Sequence, residues 1–187
     1  MTEQAEQAEG MENAAGAGAG ATLPPDDPAR ELTVVRPPDG GVRHIALAGD
    51  IYTILVTGEQ TDGRYCLIDM RVPPGGGPPP HRHDFEEMFT LLEGEVEFRF
   101  RGEPVRVRAG ETVNIPARAP HFFRNISDAP ARMLCMCTPA GQDEYFLRVA
   151  DPVSGPDAAP PELTEAEQRE RGRRAAELAA QYRTELL

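Results

Sequence analysis

Between about residues 31 and 150 the chain runs in short stretches of alternating apolar and polar residues, broken by Gly and Pro every 8–12 residues or so. Alternation with a period of two places successive side chains on opposite faces, the mark of a half-buried strand. The stretches are Leu32–Val35, Val42–Leu47, Ile51–Val56, Tyr65–Val72, Glu86–Leu92, Glu95–Phe100, Val105–Arg108, Thr112–Ile115, His121–Asn125, Ala131–Thr138 and Glu144–Val149. Turn-forming text separates them, including Thr61-Asp62-Gly63, Glu93-Gly94, Ala109-Gly110 and Ser127-Asp128-Ala129-Pro130. Many short strands at this spacing predict an all-β sandwich or barrel, and the lack of a long internal repeat predicts one barrel.

The pattern changes at both ends. Residues 1–30 are mostly Ala, Gly, Glu and Gln, closed by Pro24, Pro25 and Pro28. Such text buries too little apolar surface to offset its ordering entropy, so it predicts a disordered tail. After a Pro-rich linker from Asp151 to Pro161 the period becomes helical. Thr164 and Glu167 form a capping box, and Ala175, Leu178, Ala179, Tyr182 and Leu186 fall on one stripe. The spacing predicts a helix from Glu165 to about Leu186, docked on the barrel or on a neighbouring subunit, with Arg169, Arg173 and Glu177 on its wet face.

Composition narrows the function. The 187 residues are enough for one domain of ordinary size. A net charge of −12 repels a phosphate backbone, and neither terminal segment supplies a DNA-binding domain, so nucleic acid is not an expected partner. All 19 cationic residues are Arg, which removes lysine Schiff-base chemistry. The two serines, Ser127 and Ser154, lack a nucleophile elbow. Cys66, Cys135 and Cys137 are an odd number without a Cys-x-x-Cys spacing, and the alternation in Met133-Leu134-Cys135-Met136-Cys137 reads them as reduced core thiols. No secretory signal pattern and no long apolar run is present, which predicts a cytoplasmic protein with no membrane partner.

The stretch Pro78-Pro79-Pro80-His81-Arg82-His83-Asp84-Phe85-Glu86-Glu87 carries the chemistry. On an extended chain His81, His83, Phe85, Glu87 and Phe89 share a face, and an inward Phe89 takes the imidazoles and the Glu87 carboxylate into the core. Two imidazoles and a carboxylate are costly to bury without a partner, and a divalent cation suits all three. Glu86 is the competing carboxylate, but its parity puts it on the opposite face. The competing view of the histidines is that they only hydrogen-bond in the core. Phe85, Phe89, Phe98, Phe100 and Phe123 either line a pocket for a planar substrate or form plain core.

Gly75-x5-His81-x-His83-x3-Glu87-x6-Gly94 resembles the first cupin motif, and Gly110-x5-Pro116-x-Arg118-x2-His121-x3-Asn125 resembles the second, with Arg118 where that family usually has Gly. The resemblance covers about Gly75 to Asn125. It implies a double-stranded β-helix (cupin or jelly-roll) barrel, an all-β fold here flanked by the amino-terminal tail and the carboxyl-terminal α-helix. It also implies one divalent transition metal ion, Fe, Mn, Ni, Co, Cu or Zn, held by His81, His83, Glu87 and His121. The chain is similar to single-barrel quercetin-dioxygenase-like cupins, which implies a dioxygenase for a small enol or flavonol-like substrate, with Glu87 doubling as the acceptor of the substrate hydroxyl proton. The alternatives are a non-redox isomerase or polyketide cyclase using the same ligands, and a non-catalytic small-molecule-binding protein. By the same resemblance a homodimer is expected, formed through strands such as Ile51–Val56 or Tyr65–Val72.

Overall fold

The structure is a computed structural model that describes residues 23–36 and 41–187. The chain divides into Met1–Leu32 and Thr33–Leu187. In the first unit the described residues from 23 onward are exposed, with one turn in which Asp27 Oδ1 accepts from the Ala29 amide. The expected disordered tail falls mainly on residues 1–22, which lie outside the described residues.

Among the described residues, the second unit holds all the regular structure. Its elements are β1 (Arg43–Leu47), β2 (Asp50–Val56), β3 (Cys66–Val72), β4 (His81–His83), β5 (Glu86–Glu93), β6 (Glu95–Phe100), β7 (Glu103–Arg108), β8 (Thr112–Ile115), β9 (His121–Arg124), β10 (Ala131–Thr138), α1 (Gln142–Val149), β11 (Asp151–Val153), α2 (Glu165–Ala179) and β12 (Thr184–Leu186). They form two antiparallel sheets, of order β11-β1-β2-β3-β10-β5-β8 and β12-β4-β9-β6-β7. The expected two-sheet jelly-roll architecture is present. Alternation works as the pattern requires: in β3 Cys66, Ile68, Met70 and Val72 are buried, and in β10 Ala131, Met133, Cys135 and Cys137 are. These two strands and β5 carry the middle of the core, where Phe89, Leu91 and Phe98 are almost fully enclosed.

Several expected elements differ. Leu32–Val35 forms no strand. Glu144–Val149, read as a strand, lies in helix α1: Tyr145, Phe146 and Val149 are buried at spacings of one and three, which suits one helical face. The linker begins with β11, which pairs with β1. The capping box on Thr164 and Glu167 is present, but α2 stops at Ala179 and not near Leu186. A short 3-10 turn follows, Arg183 takes a left-handed backbone (φ 58°), and Thr184–Leu186 becomes extended because β4 offers it an open edge. The strands expected to meet a second copy, β2 and β3, each have hydrogen-bonded neighbours on both sides, so neither presents an open edge. Among the described residues no helix is long and apolar enough to cross a membrane.

Candidate metal centre

His81, His83, Glu87 and His121 meet between the two sheets, all buried, with their donor atoms within 4.8 Å of one another. The route is less simple than one continuous strand. The chain leaves the five-stranded sheet after His83, bends at Asp84 and Phe85, and enters the seven-stranded sheet at Glu86. Thus His81 and His83 on β4 and His121 on β9 face Glu87 on β5 from the opposite wall. His81 and His121 are direct cross-strand partners. Glu86 points away, its carboxylate accepting from Asn114 Nδ2 at 2.8 Å and from the Ala117 amide at 3.1 Å.

Backbone geometry builds this corner. Gly77, at φ 130°, lies so close to β9 that a Cβ there would fall 2.1 Å from the Phe123 carbonyl oxygen, so only glycine fits. Asn125 ties the neighbouring loops, donating to the Val72 and Ala129 carbonyls at 2.9 and 2.8 Å and accepting from the Ser127 amide at 3.0 Å. Arg118, the departure from the motif, has φ 69°, a conformation that costs a non-glycine residue about 1 kcal/mol. Its amide donates to the His83 carbonyl at 2.7 Å, which ties the turn to the ligand strand.

The three imidazoles are oriented alike. Each Nδ1 lies 2.9 Å from a backbone carbonyl, that of Pro79 for His81, Phe85 for His83 and Ala119 for His121. A carbonyl only accepts, so each Nδ1 carries the proton and each neutral ring turns the lone pair of Nε2 inward. His83 Nε2 and His121 Nε2 then stand 3.0 and 3.1 Å from Glu87 Oε2, acceptor against acceptor unless a cation lies between them or the rings are charged. Burial opposes ionisation of Glu87, but the His121 and His83 rings, which donate to it when they are charged, outweigh burial and hold the carboxyl well below its usual range. At His121 burial works against the charged ring, and the Glu87 carboxylate reverses the balance upward. At His81 burial prevails, reinforced by His121, and brings the ring down to about 4. Three inward lone pairs and one ionised carboxylate are a donor set that fits a divalent transition metal ion.

The other side of Glu87 was not legible in the sequence. Its Oε1 lies 3.3 Å from Cys135 Sγ and 3.7 Å from Cys137 Sγ, and the two sulfurs are 3.7 Å apart. Burial pushes the Cys135 thiol up to about 12, and Cys137 is raised mainly by its contact with Cys135. These thiols are protonated at neutral pH and act as weak donors to the carboxylate. Strand alternation shows that both cysteines point inward, but their meeting with Glu87 depends on the pairing of β10 with β5, in which Cys137 faces Glu87.

His81 and Glu87 open onto a cavity of about 610 Å³, a size suited to a small organic molecule. Met70, Phe89 and Phe123 line it from the barrel, Gln142 and Phe146 from α1, and Leu163, Arg171 and Ala175 from the carboxyl-terminal segment. Of the phenylalanines singled out in the sequence, Phe89 and Phe123 reach the cavity, Phe98 packs behind both, and Phe85 stacks on His83 with ring centroids 3.9 Å apart. Arg171 is paired with Asp151, also at the cavity wall. Strand β12 pairs Thr184, Glu185 and Leu186 with His83, Arg82 and His81. The carboxyl-terminal segment therefore both walls the cavity and closes the edge of the strand that bears two of the four donors.

A two-sheet barrel with a buried donor set opening on an apolar cavity defines a class of small-molecule sites, and the comparisons with known proteins agree with it. Residues 68–137 match the family model for the cupin domain. Residues 68–137 thus carry a cupin domain, and they lie within the single two-sheet barrel described above. It is 24% identical over 135 residues to quercetin 2,3-dioxygenase from Bacillus subtilis, covering 67% of this chain and 39% of that one. It is 37% identical over 94 residues to the polyketide synthase CurC from Streptomyces cyaneus, covering 49% of this chain and 60% of that one. The chain thus spans less than two thirds of the length of either relative. Among solved structures, the polyketide cyclase RemF from Streptomyces resistomycificus superposes with a TM-score of 0.51 at 22% identity, over 72% of this chain and 89% of that one. A predicted oxalate decarboxylase from Thermotoga maritima gives a TM-score of 0.52 at 20% identity, over 57% of this chain and 99% of that one. These two likenesses bear on the fold.

Proposed function

We propose that this protein is a metal-dependent dioxygenase for a small aromatic or enol-bearing substrate of the flavonol type. The observation that carries the reading is the convergence of three inward imidazole lone pairs and the Glu87 carboxylate on the wall of a largely apolar cavity. The likeness to quercetin 2,3-dioxygenase supports the substrate class. In this reading His81, His83, Glu87 and His121 hold one ion. A bound divalent metal would supply Lewis-acid polarisation of a substrate oxygen and, if redox-active, a relay for electrons passing from the substrate to dioxygen. Phe89 and Phe123 hold the planar rings of the substrate, and the apolar wall limits the water around them. Glu87 accepts the proton of the substrate hydroxyl and thereby raises the electron density of the enolate that remains.

A second reading is non-redox cyclisation of a polyketide, favoured by the likeness to CurC. Both use the same donors, so an oxygen electrode separates them. Metal-loaded protein given quercetin should consume dioxygen, and the consumption should disappear in His121→Ala. Turnover of an enol-bearing polyketide without oxygen uptake would replace the first reading by the second.

A further inference from the structure

Part of the wall of the cavity beside His81 and Glu87 is one continuous segment, with Pro160, Pro161, Leu163, Gln168 and Arg171 among its lining residues. From Ala159 to Glu170 every residue is exposed except Leu163, which is half-buried. The polar bonds of this stretch are local: Thr164 forms the capping box with Glu167, Gln168 Nε2 donates to the Leu163 carbonyl at 3.2 Å, and Arg169 pairs with Glu165. Among the described residues, no hydrogen bond or ion pair joins residues 158–170 to the barrel. The tethers stand at the two ends. Asp157 pairs with Arg71 of β3, and Arg171 pairs with Asp151 of β11, all four side chains being at least partly exposed. Past Arg171 the hold changes character: Ala175 and Leu178 pack against the core, Ala179 is buried, and the Tyr145 hydroxyl donates to the Ala175 carbonyl at 2.9 Å. Gly172 marks the boundary. A Cβ there would meet nothing within 4 Å, so packing does not require glycine, and glycine weakens a helix interior.

Exposed ion pairs contribute little to stability and are screened by salt, whereas buried apolar contact holds firmly. A segment with few buried contacts therefore opens locally far more often than the core unfolds. We propose that residues 158–171 are a gate over the cavity, latched by the Arg171–Asp151 pair and hinged at Gly172, which swings aside to admit a small organic molecule to the metal centre and then shuts water out. The gate rests on the reading of His81 and Glu87 as part of that centre, and it does not depend on the flavonol class of the substrate.

Removal of cobalt(II) from the metal-loaded protein by excess ethylenediaminetetraacetate, followed by visible absorption, measures access to the centre. Asp151→Asn and Arg171→Gln should each release cobalt about two- to fivefold faster than wild type, and the double variant no faster than either. Gly172→Ala should release it more slowly, by a similar factor. Arg173→Gln, whose partners Glu170 and Glu177 lie on the same helix, should match wild type. Raising the salt concentration should bring the wild-type rate toward that of Asp151→Asn. Equal rates in wild type, Asp151→Asn and Gly172→Ala would overturn the gate while leaving the centre intact. Hydrogen exchange of the metal-free protein tests the gate separately: the amides of residues 168–171 should exchange faster in Asp151→Asn while those of β5 and β10 keep their wild-type rates. Acceleration throughout the barrel would overturn the gate, by showing that the ion pair serves the whole fold. Wild-type protein that takes up no cobalt would overturn the centre, and the exchange pattern alone then decides the gate.

Discussion

Cys135 Sγ lies 3.3 Å from Glu87 Oε1, on the side of the carboxylate opposite His83 and His121. Glu87 is therefore held from both sheets: two imidazoles contact one oxygen and two thiols crowd the other. The side chain that the sequence marks as a ligand has its orientation set by β10, a strand whose cysteines look like ordinary core. Cys135→Ala should leave Oε1 with one donor fewer and destabilise the protein by about 1–2 kcal/mol, read from the denaturant midpoint. Bound metal should stay near the wild-type amount, since the donor set is unchanged.

The four donors predict a different response. Replacement of His81, His83, Glu87 or His121 by Ala should lower metal content at least about tenfold, measured by elemental analysis after dialysis, with a β-type circular dichroism spectrum retained. Glu86→Ala should keep its metal, because that carboxylate faces Asn114 and Ala117. It should still melt a few degrees lower, having lost the bond that anchors the turn before Arg118. Full metal retention in both His81→Ala and His121→Ala would refute the centre.

Asp50 gives a pH dependence away from the metal centre. It is fully buried, and burial pushes its carboxyl from an ordinary 3.8 up to about 7, against the opposing hydrogen bonds from Tyr52 and Gly77. The folded state thus favours the protonated form. Below about pH 4 both folded and unfolded chains hold the proton, and stability is unaffected by this group. Between about pH 4 and pH 7 the unfolded chain releases it first, so stability falls as pH rises, by roughly 4 kcal/mol across the window. Asp50→Asn should flatten this part of the profile of melting temperature against pH. An unchanged slope in the variant would show that another group is responsible.

The carboxyl-terminal segment predicts two unequal substitutions. Leu178 is packed against the core, whereas Arg173 lies on the exposed face and pairs with Glu170 and Glu177. Leu178→Asp should destabilise the docked segment by about 2 kcal/mol or more and, by loosening β12, lower metal retention. Arg173→Asp should change neither greatly. Equal melting temperatures for the two variants would contradict the docking. Light scattering of the full chain at micromolar concentration tests the proposed homodimer, with monomer mass as the result that rejects it.

The sequence made much of the site legible because it depends on local spacing. His-x-His followed by an in-phase Glu needs only the period of an extended chain, and the inward direction of Phe89 gives the face. Strand alternation likewise placed most of the core. Glu144–Val149 reads as a strand because six residues with clustered aromatics fit either a strand or a short helix, and packing against the barrel favours the helix. Leu186 was placed on a helical stripe, but the open edge of β4 competes for the last residues and wins.

By itself, then, the sequence determined that the chain folds as a β-barrel, that its termini differ from its middle, and that His81, His83 and Glu87 share a buried face. Those properties follow from periodicity and from the cost of burying charge, which act within a few residues. Only the tertiary structure decided that Cys135 lies against Glu87 and that β12 closes the ligand strand. Each of these depends on pairing between segments far apart in the chain, where register is set by the packing of the whole barrel and no local pattern records it.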